Sequence, residues 1–165
     1  MNVELSNKIK PETKIKFIYL LTLSGILIWI GTVIVSPYLK SQSSRLNILL
    51  YAIFSPICHQ IPSRCFYLFG YPLAVCTRCL GIYTGFLLGT ILFPLVNGFS
   101  KISLPQTRTF LFLSFPIVTD TLGNFFSIWM TSNWIRFFLG LVFGIILPFY
   151  FISGLADCFI KRAKN

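Results

Sequence analysis

Four of the five cysteines of this chain and its only histidine lie within the stretch CHQIPSRCFYLFGYPLAVCTRC, residues 58–79. They are Cys58, His59, Cys65, Cys76 and Cys79. Thiolate and imidazole are preferred zinc ligands, and a Cys-x-x-Cys pair such as Cys76 and Cys79 is common to metal sites and dithiol redox centres. The stretch therefore predicts a chemical site, and three kinds of site fit it.

The first kind is a metal site. Cys58, Cys76 and Cys79 would supply three ligands, and either His59 or Cys65 would supply the fourth, which completes a tetrahedral zinc centre. Iron, or no metal, is the alternative to zinc. Neighbouring residues such as Cys58 and His59 rarely both reach one metal ion comfortably, so the sequence leaves the fourth ligand open.

The second kind is a thiol–disulfide centre, and the third is a pair of disulfides without chemistry. The layout is similar to that of membrane quinone reductases that generate disulfides, which also place a Cys-x-x-Cys at a helix end beside a second cysteine pair. An even set of cysteines outside the cell is equally expected to form inert disulfides. Cys158, far along the chain, is expected to be a plain buried or interfacial thiol.

Local charge should assist either a metal or a redox role of the Cys-x-x-Cys pair. Cys76 stands where a helix is predicted to begin, and a helix N-terminus stabilises a thiolate. Arg78 adds positive charge between the two cysteines. We therefore expect one thiol of this pair to have a lowered pKa, and we expect His59 to be either a metal ligand or the base that activates a thiol.

The composition indicates where such a site is held. The chain has 165 residues, enough for one domain, and 55% of them are hydrophobic while 11% are charged. A soluble domain is about 25% charged, so the lipid bilayer is the expected partner. The 14 basic residues outnumber the 4 acidic ones. Because they lie between apolar stretches and form no basic face, nucleic acid is excluded as a partner.

Four apolar stretches predict transmembrane helices, and their continuous rather than alternating apolar residues favour helices over barrel strands. The fold class expected is an all-α polytopic helix bundle. The spans are residues 17–35, 79–96, 109–129 and 137–155. They form a single transmembrane domain, 17–155, between a basic N-terminal segment, 1–16, and a basic tail, 156–165. The first span is too long for a signal peptide and no Ala-x-Ala-like site follows it, so it is read as a retained helix.

The basic residues predict the orientation of the bundle. With both ends in the cytoplasm of a prokaryotic cell, more Lys and Arg residues fall on the inner side than on the outer side, as the positive-inside rule requires. The cysteine-rich stretch then faces outward from the cell membrane. The inner set is Lys8, Lys10, Lys14, Lys16, Lys101, Arg108, Lys161, Arg162 and Lys164, and the outer set is Lys40, Arg45, Arg64, Arg78 and Arg136.

The segment 46–78, between the first two spans, is too apolar for a plain loop. Its first part, residues 46–57, is too short to cross a bilayer. A turn signal stands at Gly70-Tyr71-Pro72. We expect a re-entrant or interfacial segment that brings Cys58 back towards Cys76 and Cys79, and the alternative is a fifth span built on residues 46–57.

Glycines at a spacing of four mark one face on each of two predicted spans. Gly81, Gly85 and Gly89 share a face of the second span, and Gly140 and Gly144 share a face of the fourth. Such faces allow helix backbones to approach closely. They predict helix contacts within the bundle or, alternatively, a homo-oligomer interface.

Asp120 lies halfway along the third span, where an unpaired carboxylate costs several kcal/mol (about 2.5 or more). Asn124 is one turn further on the same face, and Arg78 and Arg136 both begin spans from the outer side. Asp120 therefore predicts either a structural ion pair with one of these arginines or a functional carboxylate that handles protons or binds a ligand. Asp120, Arg78, Arg136 and His59 are the candidate catalytic residues.

The motif CHQIPSRCF, followed by GYPLAVCTRCLGIYTGFLLG, resembles the prokaryotic membrane proteins grouped as domain of unknown function 2085. The resemblance covers about residues 45–150. Where this chain has Cys65 the family usually has serine, so the resemblance implies a shared set of Cys58, His59, Cys76 and Cys79, with Cys65 accessory. The later stretches PIVTDTLGN and SNWIRFFLG also resemble the family and point to Asp120, Asn133 and Arg136.

The leading hypothesis is an integral membrane protein with an outward-facing Cys/His metal site above a polar cavity formed with Asp120, Arg78 and Arg136. The first alternative is a membrane thiol–disulfide oxidoreductase that uses the Cys-x-x-Cys pair with a quinone. The second alternative is a small-solute or ion transporter that uses Asp120 as its coupling group. The resemblance implies no reaction, so whether the chain is an enzyme stays open.

Overall fold

A computed structural model describes residues 11–96 and 106–162 of the chain. Five helices follow in order, and a two-stranded hairpin precedes the third: α1 Pro11–Ser41, α2 Leu46–Phe54, β1 Tyr67–Leu68, β2 Tyr71–Pro72, α3 Thr77–Val96, α4 Thr107–Phe125 and α5 Asn133–Arg162. Most of the N-terminal basic segment, Lys101 and Lys164 lie outside the described residues. The predicted all-α helix bundle is confirmed, with the small hairpin as an addition.

Three of the described helices are long and apolar enough to cross a membrane, over Glu12–Ser41, Thr77–Val96 and Asn133–Cys158. The third predicted span corresponds to α4, whose 19 residues would be about 28 Å long. Arg108, Asp120 and Asn124 reduce its hydropathy, so α4 does not meet the same criterion. The four-span topology therefore stays a prediction for this helix.

The helix ends differ from the predicted span ends, because hydropathy reports the apolar part of a helix and backbone hydrogen bonding continues beyond it. The helix of the first span runs from Pro11 to Ser41 and that of the fourth from Asn133 to Arg162. The third ends at Phe125 rather than at residue 129. Ser127, with φ of 56°, has left the right-handed helical region there.

Helices α3 and α5 make the closest contact in the bundle through their glycine faces. A side chain at Gly81 or Gly85 would meet the backbone of α5 at Phe137 or Leu141, and one at Gly144 would meet the carbonyl of Ile82. The two backbones can approach this closely only without Cβ atoms. The glycine faces are therefore used within the chain, and a homo-oligomer stays a prediction.

Both ends of the described chain lie at one end of the bundle. Ile15 and Ile18 of α1 share a buried core with Ile152 and Ala156 of α5. The other end, called here the cluster end, is where α3 and α5 begin and where Cys58, Cys65, Cys76 and Cys79 lie. The first residues of α1 and the last turns of α5 thus lie on the same side of the bundle.

The segment between α1 and α3 folds over the cluster end. Helix α2 has nine residues, about 14 Å, which is too short to cross a bilayer, so the alternative of a fifth span is wrong. The hairpin pairs Tyr67 with Pro72 and Leu68 with Tyr71. Phe69 and Gly70 form its turn with φ values of 53° and 79°, one residue before the turn signal that the sequence shows.

Candidate functional site

The structure brings together three of the five sequence-predicted cysteine and histidine ligands. The sulfur atoms of Cys58, Cys76 and Cys79 all lie within 4.8 Å of one another. In tetrahedral coordination at a Zn–S distance of about 2.3 Å, sulfurs stand about 3.8 Å apart. A small closing movement of these side chains would therefore complete three corners of a zinc site. We call the three residues the thiol cluster.

Two separate segments supply the thiol cluster. Cys58 follows α2, and its N–H donates to the carbonyl of Phe54 at 2.9 Å, which continues the last helical turn. Cys76 and Cys79 stand at the start of α3, where the carbonyl of Cys76 accepts from the N–H of Leu80 at 3.0 Å. The Cys76 N–H donates to the Cys58 sulfur at 3.1 Å. Because a backbone amide favours a thiolate, this contact suits a metal ligand.

Tyr51 of α2 joins the two segments, a role that sequence reasoning missed. Its carbonyl accepts a hydrogen bond from Nε2 of Gln60 at 2.7 Å. Its hydroxyl donates to the carbonyl of Pro72 on the hairpin. Gln60 itself has φ of 51°, in the left-handed region, where the chain turns back after Cys58. Gln60 stands in the CHQ motif, so the motif carried a signal for one partner of Tyr51.

A buried apolar core surrounds the thiol cluster. Cys58 is buried with Val33, Phe54 and Val75, and Trp29 and Tyr83 pack against this core. The rings of Trp29 and Phe54 meet edge to face at 4.9 Å. The core fixes the positions of α1, α2 and α3 around Cys58, so the cluster is held by packed elements rather than by a loop alone.

Electrostatics within the cluster centre on Cys58. Hydrogen bonds from the side chains of Cys76 and Cys79 lower the pKa of Cys58 to about 2. The same hydrogen bond with Cys58 raises the pKa of Cys76. The expectation that the Cys-x-x-Cys pair would contain the thiol with the lowered pKa is therefore wrong for Cys76. The lowered pKa belongs instead to Cys58, which receives hydrogen bonds from the pair and from the backbone.

The other two candidates lie outside the thiol cluster. His59 is exposed, since the backbone directs it away while Cys58 is buried. Cys65 is buried, donates its thiol hydrogen to the carbonyl of Ile61 at 3.2 Å, and burial raises its pKa to about 12. All five cysteines are free thiols in the structure. Three sulfurs around one point do not fit two separate disulfides.

A network of polar side chains lies next to the thiol cluster. Arg78, between the two cysteines of α3, forms an ion pair with Asp120 of α4, as the sequence proposed. Asp120 also accepts from the Thr131 hydroxyl, and from Nδ2 of Asn124 at 3.0 Å. Arg136 of α5 donates to Oδ1 of Asn124 at 2.6 Å. These five residues form what we call the polar network.

The polar network connects the helices at the cluster end. It joins the first turn of α3 to the last turns of α4 and the start of α5, and Asp120 and Arg136 are both buried. Nδ2 of Asn133 reaches the carbonyl of Ser63 at 3.1 Å, which ties α5 to the cysteine-rich segment. Thr131 was missed by sequence reasoning, because a loop threonine carries no signal of its partner. Cys158 is exposed on α5, far along the helix from the cluster.

The chain is similar to known proteins over the whole of this site. A family described as "Predicted membrane protein (DUF2085)" matches residues 58–150. An uncharacterized protein of Methanocaldococcus jannaschii is 32% identical over 152 residues, which are 88% of this chain and 97% of that protein. No solved structure matches the chain. The chain belongs to the DUF2085 family and is a membrane protein, so the resemblance seen in its motifs is confirmed.

Proposed function

We propose that this member of the DUF2085 family binds a metal ion, zinc by preference, through Cys58, Cys76 and Cys79. The single observation that carries the proposal is the convergence of three sulfur atoms within 4.8 Å. The Cys76 amide directed at the Cys58 sulfur is a typical outer partner of a metal-bound thiolate. Soft thiolate ligands select zinc or iron over magnesium and calcium.

Three protein ligands leave one coordination position for a further group. Structural zinc sites are closed by four protein ligands, whereas catalytic sites hold three and keep the fourth position for water or substrate. His59 follows Cys58 directly and is exposed, and Cys65 hydrogen-bonds to its own segment. We therefore propose a three-cysteine site whose fourth position is open to solvent or substrate, rather than the Cys/Cys/Cys/His set that the resemblance implies.

We propose that the metal site faces away from the cytoplasm of a prokaryotic cell, with both chain ends inside. Support comes from α1 and α5, which place their far ends together at the opposite end of the bundle from the cysteines. The excess of Lys and Arg at the chain ends favours the cytoplasm for that side. An outward site would take its metal from outside the cell.

The test is metal analysis of the full chain purified without chelator, with free thiols counted on the same sample. We expect close to one zinc or iron ion per chain. Cys58→Ser and Cys79→Ser should lose the ion, while Cys65→Ser and Cys158→Ser, which change thiols outside the cluster, should keep it. Wild-type protein that holds no metal and has no free thiol except Cys158 would sink the proposal in favour of disulfides.

The fourth position has its own test. Replacement of the native ion by cobalt gives absorption bands that report the number and type of ligands. We expect the His59→Ala spectrum to match that of the wild type, and added thiol or azide to change both spectra in the same way. A spectral change on the His59 substitution alone would restore the histidine as fourth ligand.

A second candidate function, thiol oxidation by a lipid-soluble quinone, is favoured by an apolar groove. The groove has a volume of about 980 Å³ and lies between α1, α3 and α5. Trp29 and Tyr83 line it and also pack against the core that contains Cys58. A long isoprenoid chain could lie along the groove with its ring near the thiols. Two cluster thiols would lose two electrons and two protons to form a disulfide. The quinone would take up the two electrons and the two protons to become a hydroquinone.

Gly25 provides a specific test of this second candidate. It lines the groove, and a side chain there would meet no atom within 4 Å. Gly25→Leu should therefore fill the groove without disturbing the fold. If the second candidate is right, anaerobic addition of a short-chain quinone should remove two free thiols for each hydroquinone formed. Gly25→Leu should slow this reaction. The metal content of the untreated variant should equal that of the wild type. Thiol counts that do not respond to quinone exclude it.

The transporter hypothesis receives less support from the geometry. Asp120, its proposed coupling group, is held by Arg78, Thr131 and Asn124. A carboxylate with three partners is better suited to joining helices than to taking up and releasing an ion. We therefore favour the structural role that the sequence offered for Asp120.

A further inference from the structure

A basic recess lies at the cluster end, where Asn124, Thr131 and Arg136 of the polar network form part of its lining. It has a volume of about 380 Å³, several times the share of one water molecule, which is about 30 Å³. Arg64 and Arg136 line it, together with the uncharged polar side chains of Asn124, Thr131, Ser132 and Asn133. The recess is thus furnished with hydrogen-bond donors and has room for a small polar molecule.

The positive charge around this recess exceeds the negative charge. Arg64 and Arg78 both repel the charge of Arg136, while Asp120 attracts it. Among the described residues the remaining carboxylates, Glu12 and Asp157, belong to the helix segments at the opposite end of the bundle. Three guanidinium groups therefore share one carboxylate. Three thiolates around a divalent metal ion would add one further negative charge, and a surplus of one positive charge would still remain.

Arg136 is the residue for which this surplus is most costly. Its side chain lines the recess although the residue is only 8% exposed. One guanidinium nitrogen donates to Asn124, an uncharged partner. Its Nε is buried without a hydrogen-bond partner among the described residues. A buried guanidinium without a carboxylate of its own is destabilising unless an anion accompanies it.

The start of α5 adds to the positive field. The helix begins at Asn133 and runs for 30 residues, and its N-terminus carries about half a positive charge from the aligned peptide dipoles. Ser132 and Asn133 at this terminus both line the recess. An anion placed there would meet the helix terminus and two arginines together.

We propose that the basic recess binds an oxyanion of the phosphate class. Guanidinium groups pair with phosphate oxygens in a bidentate manner, and a phosphate carries the charge that the recess lacks. Phe125, Phe126, Ile128 and Met130, beside the recess, are exposed and apolar, as expected where a protein surface meets lipid headgroups. The phosphate can therefore belong to a lipid headgroup or to a free ion, and both sources share the same recognition chemistry.

The experiment uses the full chain, purified without chelator, in neutral detergent at constant ionic strength. One arm adds inorganic phosphate against a chloride control, and the other adds short-chain phosphatidic acid against diacylglycerol with the same chains. Binding is measured by calorimetry and by the shift in melting temperature. We expect saturable binding in at least one arm, and the responding arm identifies the source of the phosphate.

Arg64→Gln and Arg45→Gln are the matched variants, because both remove one exposed arginine of the same predicted side and only Arg64 lines the recess. We expect Arg64→Gln to weaken phosphate binding by about tenfold and Arg45→Gln to leave it unchanged. Arg136→Lys keeps the charge and should weaken binding as well, through loss of the bidentate contact. Absence of binding in both arms, or equal weakening by the two matched variants, would overturn the proposal.

Discussion

The thiol cluster and the polar network are neighbours, yet they are built in different ways. Both use the first turn of α3, where Cys76 and Cys79 flank Arg78. The cluster takes its third member, Cys58, from the short segment that covers the bundle. The network takes its other members from α4, α5 and the loop between them. One turn of helix thus serves two sites of different chemistry.

The two sites also differ in how many partners their polar groups find within the chain. Asp120 has an ion pair and hydrogen bonds within the chain, so its role can be fulfilled by the protein alone. The three thiols satisfy one another only by sharing hydrogen bonds around one thiolate. The cluster is therefore suited to the metal ion that we propose, whereas the carboxylate of the network already has its partners within the chain.

Metal removal should produce the largest effect and should act through the cluster alone. Structural zinc contributes about 10–16 kcal/mol of apparent binding free energy in small folded peptides. We expect a chelator to lower the melting temperature of the wild type more than any single substitution in the network does. The Cys58→Ser variant, already without metal, should not respond to the chelator. If the chelator destabilises both proteins equally, it does not act through the thiol cluster, and the proposed dependence of the cluster on metal is wrong.

Breaking the ion pair should give the next largest effect without loss of metal. Removing one partner of a buried pair costs about 3–5 kcal/mol, because the other charge is left uncompensated. We expect Asp120→Asn to be destabilised by about this amount in thermal unfolding, with the metal content unchanged. Adding Arg78→Gln to this variant should recover part of the loss. Metal lost from Asp120→Asn in folded protein would show that the two sites are one.

Tyr51→Phe should have a smaller effect on stability and should loosen the thiol cluster. The substitution removes the hydroxyl that donates to Pro72, and a single neutral hydrogen bond contributes about 1 kcal/mol. We expect a modest decrease in melting temperature and faster transfer of metal to a competing chelator. Tyr67→Phe is the control, because Tyr67 is an exposed tyrosine of the same hairpin. Equal rates of metal transfer for the two variants would show that the Tyr51 hydroxyl does not help to hold the thiol cluster.

His59→Ala should produce the smallest effect. The side chain is exposed and lies outside the group of converging sulfurs. Surface substitutions of this kind usually change stability by less than about 0.5 kcal/mol. We expect an unchanged metal content and melting temperature, measured beside Gln42→Ala, an exposed polar residue of the same segment. A loss of metal on this substitution alone would place the histidine in the cluster.

Much of the fold could be predicted from the sequence, because membrane helices obey local rules. A continuous apolar stretch must satisfy its own backbone groups in lipid, so the spans could be predicted without knowledge of their neighbours. The glycine faces predicted a close helix contact, and Gly81 and Gly144 are found in it. The pairing of Asp120 with Arg78 could also be proposed, since few charged residues are available as partners in this chain.

Other features could not be predicted because they depend on contacts between distant residues. The hydrogen bonds of Tyr51 reach Gln60 and Pro72, and no local pattern reports such a link. The turn of the hairpin was misplaced by one residue, since Gly70 can occupy either position of such a turn. The contact of Thr131 with Asp120 depends on where the loop after α4 returns, which the loop composition does not determine.

Composition, hydropathy and the cysteine motif are properties of the chain, and they were enough to predict a helical membrane protein with a cysteine-rich site. Which members of the motif converge depends on the packing of the helices. Cys58 and His59 are neighbours in sequence, but one side chain is buried against Cys76 and Cys79 while the other is exposed. Adjacent side chains leave the backbone in different directions, so the packing of α2 against α1 and α3 selects which of them enters the site.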